Sequence, residues 1–495
     1  MSLITITKKD EVHLIVDTDP STAKEIVDHF TFDVPGAKFM PSYKSRYWDG
    51  KARLFNMYTR ELYIGLLDYL LEFAEQLEYR TKLEMEDLGE DSTIEAVQKF
   101  AKHLDLHSQN KPIEAREYQI EAVNHAISKG RSLLLSPTAS GKSLMLYMLI
   151  RYHQLHGRKQ LLIVPTTSLV EQMYGDFGDY SSANKWDVDE HCHRIYSGKE
   201  KTNDKDVIIS TWQSIYKFPG VWFGQFDVIY GDEAHNFKAK SLTTIMDKCT
   251  TAPYRIGTTG TLDGSKTHRL VLEGVFGRVN QVTSTKKLMD DKQLAELKIV
   301  CMLLEYTDAN RKLVSKMPYQ EEIDWIVRNP LRNKLITNLT VAQKGNTLVL
   351  YQYVEKHGAV LYDMIKNHVV KGRKVFYVHG GTDTEHREEI RRLTEEENDA
   401  IIVASYGTFS TGINIRNLHN VVFASPSKSR IRNLQSIGRG LRRGGQKTVC
   451  NLFDLGDDLS WKSKKNFTLN HMMERIKIYN EESFNYKIVK MKIDE

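Results

Sequence analysis

The feature that most constrains this chain is the pentapeptide GDEAH at Gly231 to His235, which directly follows the apolar run from Phe226 to Tyr230. A short apolar run of this kind is typical of a buried strand in a parallel sheet. The carboxylates at its end could hold Mg²⁺ at Asp232 and place Glu233 beside a water that attacks a terminal phosphate. Acidic turns after strands are also common on protein surfaces, so the pentapeptide alone leaves both interpretations open.

A second segment has the order strand, loop and helix that a phosphate-binding loop requires. The apolar run from Ser132 to Leu135 leads into SPTASGKS at 136–143 and then into a helical stretch from Leu144 to His156. Backbone N–H groups and the helix N-terminus would face the phosphates, Lys142 would reach the β- and γ-oxygens, and Ser143 would complete the Mg²⁺ shell. Ser136 and Ala139 stand where Gly or another small residue is usual, so a turn that only caps a helix is the alternative.

Two further motifs follow in sequence order. Thr258 to Thr261 reads TTGT, and the segment 435–443 reads QSIGRGLRR. A phosphate loop, an acidic strand end, a Thr-Gly-Thr turn and a Gln-x-x-Gly-Arg-x-x-Arg helix are improbable in this order by chance. The chain therefore resembles the superfamily-two helicases with a DEAH-type box, and among them the recombination helicases of bacteriophages, over its full length.

The resemblance implies the roles of the residues at the nucleotide site, with ATP as the nucleotide and Mg²⁺ as the metal. His235 and Gln435 would form a pair that senses closure between two lobes. Because Arg439 and Arg442 lie three apart, a solvated basic helix face is the alternative to a role as arginine fingers. The catalytic residues would be Lys142, Asp232, Glu233, Gln435, Arg439 and Arg442; the metal ligands Ser143 and Asp232; and the nucleotide contacts Arg116, Tyr118, Gln119, Pro137, Thr138, Ala139, Ser140, Gly141, Lys142, Ser143 and Gly412.

The resemblance also implies contacts to the nucleic-acid backbone at strand ends. The segments VPTTSL at 164–169, STWQS at 210–214 and YGTFSTGIN at 406–414 match the corresponding motifs. Thr and Ser at strand ends are ordinary turn residues, so each residue taken singly has an equally good structural explanation. The predicted contacts are Thr166, Thr167, Thr211, Gln213 and Thr411.

A cluster of basic and aromatic residues between Lys38 and Arg60 predicts a second nucleic-acid surface. It holds six basic residues, one acid at Asp49, and six rings. Cations can contact phosphates, and flat rings can stack on exposed bases. Because a small domain needs aromatic residues in its core, we expect about half of the rings to be buried. The predicted DNA contacts are Lys44, Arg46, Trp48, Lys51 and Arg53.

Apolar periodicity divides the chain into five parts. Two short strands within 4–16 and helices over 21–30 and 62–77 predict a small α+β domain that could be removed without unfolding the remainder. Ser92 and Glu95 form a candidate capping box for a helix through Leu104. Two series of apolar strands alternating with helices predict two RecA-like lobes, each a doubly wound parallel sheet in the α/β class. The predicted boundaries are 1–90 for the N-terminal domain, 91–112 for a helical linker, 113–280 and 281–456 for the lobes, and 457–495 for a C-terminal extension.

Net charge, cysteine content and hydropathy indicate the compartment of the protein rather than its function. A net charge of +5 over 495 residues does not by itself indicate nucleic-acid binding. The four cysteines lack a CxxC pair, which suits a reducing compartment. No run of 18 apolar residues occurs, and the N-terminus lacks a signal-peptide pattern. We therefore expect a cytoplasmic protein without a membrane segment, in the host cytoplasm if the source is viral.

Taken together, the motifs predict an ATP-dependent helicase that acts on branched DNA such as forks, recombination junctions and RNA–DNA hybrid loops. Three alternatives remain: an RNA helicase, a duplex translocase that does not separate strands, and a protein that anneals or clamps nucleic acid and uses ATP only as a switch. We expect a monomer or weak oligomer, and the motifs specify no protein partner.

Overall fold

A computed structural model of the chain describes residues 2–86, 88–196, 204–412, 415, 417–427, 429–442 and 447–493. The chain divides into two compact units. The first is Met1–Ser136 with Gly141–Thr283, and the second is Pro137–Ser140 with Ser284–Glu495. Each unit contains a seven-stranded parallel sheet. This confirms the predicted α/β class with two doubly wound lobes and a small N-terminal domain.

The N-terminal domain is a mixed four-stranded sheet with three helices. Its strand order is β5-β2-β1-β6, in which β1 pairs antiparallel with β2 and parallel with β6. The pair β3 and β4 forms a separate two-stranded ribbon. The elements are β1 Leu3–Lys8, β2 His13–Asp17, α1 Pro20–His29, β3 Thr31–Asp33, α2 Pro41–Lys44, β4 Lys51–Arg53, β5 Glu61–Tyr63, α3 Leu67–Gln76 and β6 Arg80–Glu84.

The N-terminal domain shares its core with the lobe that follows it. Leu270 of that lobe lies within the hydrophobic cluster of the N-terminal domain. At Gly65, an added Cβ would lie 2.0 Å from the backbone oxygen of Glu273. The buried guanidinium of Arg131 donates to a carboxylate oxygen of Glu11 at 3.0 Å. Removal of the domain would therefore uncover apolar surface and leave a buried cation without this acid, contrary to the expected independence.

The first lobe has the strand order β11-β12-β10-β13-β14-β9-β15. A two-stranded ribbon and a helix precede it. The elements are α4 Ile94–His103, β7 His107–Ser108, β8 Lys111–Pro112, α5 Glu117–Lys129, β9 Arg131–Leu135, α6 Lys142–Leu155, β10 Gln160–Val164, α7 Thr167–Tyr180, α8 Val188–His191, β11 Cys192–Ile195, β12 Val207–Thr211, α9 Trp212–Ile215, α10 Gly220–Phe223, β13 Val228–Asp232, α11 Lys240–Lys248, β14 Tyr254–Thr259, α12 Lys266–Phe276 and β15 Val279–Gln281.

The central strands of this lobe are buried on both faces. Successive residues of β10 alternate between two hydrophobic clusters, with Leu162 and Val164 in one and Leu161 and Ile163 in the other. This alternation follows from the two-residue period of a strand. Helices therefore cover both faces, and the carboxyl edge of the sheet is left as the place for a site.

The second lobe has the order β18-β19-β17-β20-β21-β16-β22. Its last strand belongs to the predicted C-terminal extension, which thus completes the sheet. The elements are α13 Thr285–Asp290, β16 Glu296–Glu305, α14 Asp308–Val314, α15 Tyr319–Arg328, α16 Pro330–Ala342, β17 Thr347–Tyr351, α17 Val360–His368, β18 Val375–Val378, α18 Thr384–Glu396, β19 Ile401–Ser405, α19 Tyr406–Gly412, β20 Asn420–Phe423, α20 Arg430–Gly440, β21 Val449–Asp458, α21 Phe467–Glu481 and β22 Tyr486–Lys492.

Two local predictions are wrong. The helix expected over 62–77 begins at Leu67, because 61–63 pair with β2 as strand β5 and 64–66 form a 3₁₀ turn. The cap of α4 is Thr93 rather than Ser92, and the hydroxyl of Thr93 accepts from the backbone N–H of Ala96.

Within the described ranges, no helix has the length and apolar character needed to cross a membrane. The domain boundaries themselves stay a prediction.

Candidate nucleotide and nucleic-acid site

The sheet order of the first lobe brings the predicted motifs to one edge. All seven strands run parallel, so their carboxyl ends lie together. Along that edge Thr211 ends β12, Thr166 follows β10, Asp232 ends β13 and Thr258 lies near the end of β14. The phosphate loop follows β9, the next strand along. The candidate nucleotide residues therefore occupy one half of this edge, and the candidate nucleic-acid residues occupy the other half.

Asp232 is the last residue of β13 and is only 3% exposed. The hydroxyl of Thr258 donates to its Oδ1 at 2.8 Å. Burial, followed by repulsion from Glu233, raises the pKa of Asp232 to about 6, while the positive charge of Lys142 opposes the rise. Two acids therefore face a single lysine in a buried site. A divalent cation bound there would reduce the repulsion between the two carboxylates.

Glu233 adopts a left-handed backbone conformation, with φ 49° and ψ 49°, at the start of a 3₁₀ turn over Ala234–Lys238. Such a conformation is uncommon for a residue with a Cβ and recurs at functional sites. Its Oε2 is buried and accepts no hydrogen bond from the described residues. The sharp turn points Glu233 away from the strand direction that Asp232 follows, so the two adjacent carboxylates can take separate roles.

His235 lies beside both acids and is largely buried. Its Nδ1 is 3.0 Å from the hydroxyl of Thr259 and 3.3 Å from Oε2 of Glu233. Burial, with the charge of Lys238 second, lowers the pKa of His235 to about 4. The ring is therefore neutral at physiological pH and acts through hydrogen bonding. Its predicted pairing with Gln435 stays a prediction.

The phosphate loop closes with a non-glycine residue in the left-handed backbone conformation. Ala139 takes a left-handed conformation with φ 67°, at the position where Gly is more usual. The Ser140 hydroxyl donates to the carbonyl of Pro137 at 2.6 Å. The ammonium of Lys142 donates to the carbonyl of Ser136 at 3.2 Å. Lys142 begins α6, so the loop ends at a helix N-terminus as predicted.

Ser143, a predicted metal ligand, has its Oγ 2.8 Å from the phenolic oxygen of Tyr180 at the end of α7. Sequence reasoning missed Tyr180 because no motif contains it and 37 residues separate the two. It also gave no role to Thr258. The position of Thr258 in β14, paired with Asp232 in β13, could have been found from the strand assignment alone.

The predicted adenine-recognition residues lie at the start of α5. The side-chain oxygen of Gln119 accepts from the backbone N–H of Arg116 at 2.8 Å, and the Arg116 guanidinium donates to the Tyr118 hydroxyl at 2.7 Å. Gln119 is 3% exposed. An added Cβ at Gly141 would lie 2.3 Å from the Gln119 side-chain nitrogen. The structure thus places Gln119 directly against the phosphate loop.

The predicted backbone contacts of the first lobe lie at the ends of β10 and β12. Thr166 caps α7 through its hydroxyl, which accepts from Leu169 at 3.3 Å, and Thr167 is exposed. The Thr211 hydroxyl is buried and lies 2.9 Å from that of Ser214. Gln213 is exposed and donates weakly to the carbonyl of Pro165. Thr167 and Gln213 are therefore the two of these four that are accessible to a ligand.

In the second unit, α20 carries Gln435 and Arg439, both partly exposed. The Arg439 guanidinium lies 5.7 Å from the ring centre of Phe409 in α19. The helix that was expected to carry both arginines ends at Gly440, so Arg442 follows it in the next turn. Thr411 and Gly412 end α19, but their side-chain environments lie outside the described part of the chain, as do residues 413–414.

The basic and aromatic cluster is far more exposed than expected. Of its six rings, all within the described ranges, Phe55 alone is buried. Tyr47 is 92% exposed and Tyr58 97%. Trp48 is partly buried and its indole donates to the carbonyl of Lys51 at 2.8 Å. The prediction that half of the rings are buried is therefore wrong, because aliphatic residues fill most of the core of this domain, and two of its three buried rings, Phe30 and Phe73, come from outside the cluster.

The exposed cations of the cluster differ in whether an acid pairs with them. Lys44, Arg46 and Lys51 are exposed. Arg53 instead donates to Asp49 at 3.2 Å, and this hydrogen bond lowers the pKa of Asp49 to about 2. Arg53 is thus partly neutralised by the single acid of the cluster, so we expect it to contribute least to phosphate binding.

The residues present fit ATP with Mg²⁺. Asp232 and the hydroxyl of Ser143 are oxygen donors of the kind Mg²⁺ prefers. Oε2 of Glu233 lies 3.3 Å from Nδ1 of His235 and accepts no hydrogen bond from the described residues, so it can accept one from a water. Gly141, with φ 83°, lets the loop pass close to Gln119, where an added Cβ would lie 2.3 Å from the Gln119 side-chain nitrogen. Within the described residues, no group of three or more His, Cys, Asp or Glu side chains could hold a metal alone, so substrate oxygens and water would have to complete the shell.

Three segments of the chain match known families. Residues 4–84 match the family described as DNA helicase UvsW, N-terminal. Residues 112–264 match the type III restriction enzyme, res subunit, and residues 331–444 match the helicase conserved C-terminal domain. The solved fragment of a putative HsdR subunit of a type I restriction enzyme from Vibrio vulnificus has 20% identity and a TM-score of 0.56, and covers 77% of this chain and 69% of that one. That similarity shows the fold alone.

A full-length relative gives a more specific result. The chain is 36% identical over 492 residues to the ATP-dependent DNA helicase uvsW of Enterobacteria phage T4, which covers 96% of this chain and 97% of that protein. The crystal structure of T4 UvsW superposes with a TM-score of 0.53 at 33% identity and covers 99% of this chain and 100% of that one. By full-length similarity, and by the order and placement of its motifs, the chain belongs to the UvsW family of superfamily-two helicases.

Proposed function

We propose that the chain is an ATP-dependent helicase that remodels branched DNA, including forks, recombination junctions and RNA–DNA hybrid loops, in recombination, replication and repair. The observation that carries the proposal is the shared sheet edge of the first lobe. Residues suited to ATP and residues suited to a nucleic-acid backbone occupy adjacent strand ends there. Full-length similarity to a protein named as a DNA helicase supports DNA as the substrate.

In the proposed reaction, Lys142 binds the phosphate oxygens of ATP and Gln119, with Arg116 and Tyr118, holds the adenine. Ser143 and Asp232 would hold Mg²⁺, which when bound neutralises phosphate charge. Glu233 accepts the proton of the attacking water through its carboxylate, whose Oε2 lies 3.3 Å from Nδ1 of His235. Arg439 and Arg442 stabilise the charge that develops on the transferred phosphoryl group.

The proposed DNA contacts fall into two groups. Thr166, Thr167, Thr211, Gln213 and Thr411 would contact the strand along which the motor moves. Lys44, Arg46, Trp48, Lys51 and Arg53 would bind the branch. Thr166, Thr167, Thr211 and Gln213 of the first lobe belong to the same compact unit as the N-terminal domain, whereas Thr411 belongs to the second unit.

Strand displacement on a fixed panel of substrates tests this proposal. The panel is forked DNA, a blunt DNA duplex, an RNA duplex and an RNA–DNA hybrid with a DNA flap, each with ATP or a non-hydrolysable analogue. We expect ATP-dependent displacement of the fork and the hybrid, and little displacement of the RNA duplex. Equal activity with the analogue would indicate an annealing or clamping protein, and preference for duplex RNA would indicate an RNA helicase.

Two variants link that activity to the site. Glu233→Gln keeps the side-chain shape but removes the base, so it should bind ATP and fail to displace strands. Glu190→Gln, an exposed acid in α8 of the same lobe, serves as the matched control and should behave as wild type. Wild-type ATP turnover by Glu233→Gln in saturating DNA would remove the catalytic assignment.

A further inference from the structure

The C-terminal helix α21 contacts the second lobe where α20, the helix of the proposed arginine fingers, begins. Residues 424–427 connect β20 toward α20. The guanidinium of Arg475, in α21, is 1% exposed and donates to the carbonyl of Ser427 at 2.9 Å. The same guanidinium donates to Asp454 of β21 at 2.9 Å and to the carbonyl of Leu455 at 2.9 Å. A single buried cation thus ties α21 and β21 to the segment that leads into α20.

The buried pair of Arg475 and Asp454 is fully coordinated. Tyr479, one turn further along α21, donates its hydroxyl to Asp454 Oδ2 at 2.7 Å and is itself 0% exposed. A buried ion pair is stable only when its remaining hydrogen-bonding groups are satisfied, as they are here. The pair therefore has a single geometry, and the position of the Ser427 carbonyl is fixed with it.

A second contact joins the two helices near the surface. Arg430, the first residue of α20, donates to Glu482, immediately after α21, at 2.7 Å and also pairs with Glu481. The carboxylate of Glu482 and the guanidinium of Arg430 are both about three-quarters buried. The start of α20 is thus held from the interior by Arg475 and from the surface by the acids that end α21.

The far end of α20 is held as well. Lys447 is 4% exposed, and its ammonium donates to the carbonyl of Arg442 at 3.0 Å and also contacts the carbonyl of Gly440. The backbone of Ala295 donates to the carbonyl of Leu441 at 2.9 Å. Cations at the last carbonyls of a helix also complement its dipole. Both ends of a helix of 11 residues are therefore fixed by side chains from elsewhere in the lobe.

This arrangement matters for a guanidinium that must meet a phosphoryl group. Arg439 lies nine residues after Arg430, which is about 14 Å along a helix that rises about 1.5 Å per residue. Because α20 is also held at its far end, loss of the contacts at its start would let it rotate about its axis rather than swing freely. A rotation of about 10° would move a side-chain group roughly 6 Å from the axis by roughly 1 Å, and a misplacement of about 1 Å can cost on the order of 10²-fold in rate. Small changes where α21 meets α20 would thus reach the arginine.

We propose that α21 is a brace that positions α20, with Arg475, Arg430 and Glu482 as positioning residues for ATP hydrolysis. The proposal rests on the proposed role of Arg439 and Arg442. It gives the C-terminal extension a task that its sequence did not indicate: to keep the arginine helix in the orientation that turnover requires. Loss of the brace should lower turnover without changing how tightly ATP binds, because the brace acts on the transition state.

Charge reversal at the surface contact tests the brace without creating a buried hole. Arg430→Glu faces two acids and should lower the kcat of DNA-stimulated ATP hydrolysis about tenfold or more, while the KM for ATP stays within twofold. The triple variant Arg430→Glu, Glu481→Lys, Glu482→Arg restores opposite charges and should recover kcat to within about threefold of wild type. Lys490→Glu breaks the pair between Lys490, an exposed residue of the same extension, and Glu305 of β16; it is the matched control and should change neither constant.

Hydrogen exchange of the amides in 430–440 reports the brace independently of activity. It should be faster in Arg430→Glu, return toward the wild-type rate in the triple variant and stay unchanged in Lys490→Glu. Arg475→Lys keeps a charge beside Asp454 but loses the fork that reaches Ser427. Arg475→Lys should also show faster exchange of the amides in 430–440 and a lower kcat with an unchanged KM. Cooperative thermal unfolding of this variant shows that it is folded.

The outcomes separate the two proposals when Arg439→Ala is measured in parallel. Normal kcat in Arg430→Glu with low kcat in Arg439→Ala overturns the brace and leaves the finger role in place. Unchanged exchange in Arg430→Glu, or a KM that rises while kcat holds, also overturns the brace. Normal kcat in Arg439→Ala overturns the finger role and, with it, the claim that α21 positions that residue.

Discussion

The Oγ of Ser143 in the phosphate loop lies 2.8 Å from the phenolic oxygen of Tyr180 in α7. Ser143 is the hydroxyl proposed to bind Mg²⁺, and the same hydroxyl is within hydrogen-bonding distance of a neighbouring side chain. Either hydroxyl can be the donor in this contact. With Tyr180 as the donor, its proton occupies a lone pair of the Ser143 oxygen, and Mg²⁺ would have to displace it; we base the first prediction on this arrangement.

Tyr180→Phe should therefore bind ATP with Mg²⁺ more tightly. A hydrogen bond of this kind contributes about 1 kcal/mol, which corresponds to roughly fivefold in the Kd. Titration calorimetry with a non-hydrolysable analogue measures the difference. Tyr174→Phe, in the same helix but bonded through its hydroxyl to Asp189, is the control and should leave the Kd unchanged. Weaker binding in Tyr180→Phe would mean that Tyr180 orients Ser143 toward the metal instead of withholding it.

A second prediction concerns the contact between the phosphate loop and the adenine-recognition residues. Gly141→Ala adds a Cβ that would lie 2.3 Å from the Gln119 side-chain nitrogen, at a backbone φ of 83°. The variant should bind ATP at least tenfold more weakly, since both the clash and the left-handed conformation act against it. The loss should be smaller when Gly141→Ala is made in a Gln119→Ala background, because only the backbone strain of about 1 kcal/mol then remains.

Nucleotide titrations of the four proteins form a double-mutant cycle. Additive losses would show that Gln119 does not meet the loop at Gly141. GTP serves as the internal control, because a residue that reads adenine should affect ATP binding more than GTP binding.

A third prediction follows from the raised pKa of Asp232, which burial and then Glu233 shift from 3.8 to about 6. Because the folded-state pKa exceeds the unfolded value, the folded chain binds the proton more tightly. That stabilisation is complete below about pH 4 and is lost as the pH rises through about 6. Asp232→Asn should thus raise the free energy of unfolding at pH 7.5, by about 3 kcal/mol at most for a shift of this size, and have little effect near pH 4.

Thermal unfolding at the two pH values, in EDTA and without nucleotide, measures this difference. Asp263→Asn is the control, because it should change the free energy of unfolding at pH 7.5 in the opposite direction. Burial alone would raise the pKa of Asp263, but hydrogen bonds from Lys238, Ser265 and His268 outweigh it and hold the pKa well below its usual range. Asp263→Asn should therefore lower stability at pH 7.5. If Asp232→Asn lowers the free energy of unfolding at pH 7.5, the charge on Asp232 does not destabilise the folded chain, and the prediction is wrong.

The sequence predicted the sheet strands and the strand and helix on either side of the phosphate loop, because both are local patterns. The apolar runs at 160–164 and 347–351 coincide with β10 and β17. The phosphate loop and the GDEAH turn lie where their flanking apolar runs placed them. Such runs report burial on both faces of a parallel strand, and that signal does not depend on distant residues.

Contacts between distant residues could not be predicted in the same way. Tyr180 meets Ser143, and Glu11 meets Arg131, across separations of 37 and 120 residues. The second of these pairs joins the N-terminal domain to the first lobe, which periodicity had divided into separate modules. The rings at 38–60 are also more exposed than predicted. Composition gives the number of aromatic residues in a domain but not the number that its core can bury.

The last prediction concerns those exposed rings and cations. If Lys44, Arg46 and Lys51 contact phosphates, each change to Ala should reduce the slope of log Kd against log salt for forked DNA by about one unit. Tyr47→Ala and Tyr58→Ala should instead weaken binding by about 1 to 3 kcal/mol each at any salt concentration, if their rings stack on unpaired bases. All five side chains are exposed, so thermal unfolding should not change.

Binding of each variant to a fork is titrated from low to high salt, with a blunt duplex alongside. Lys24→Ala, an exposed cation on α1 of the same domain, is the control for a general loss of charge and should keep the wild-type slope. Arg53→Ala should change the slope less than Lys51→Ala, because Asp49 already neutralises Arg53. The duplex should be insensitive to Tyr47→Ala and Tyr58→Ala, since it offers no unstacked base. Equal slopes for wild type and the Lys44, Arg46 and Lys51 variants would show that this surface does not bind the phosphate backbone.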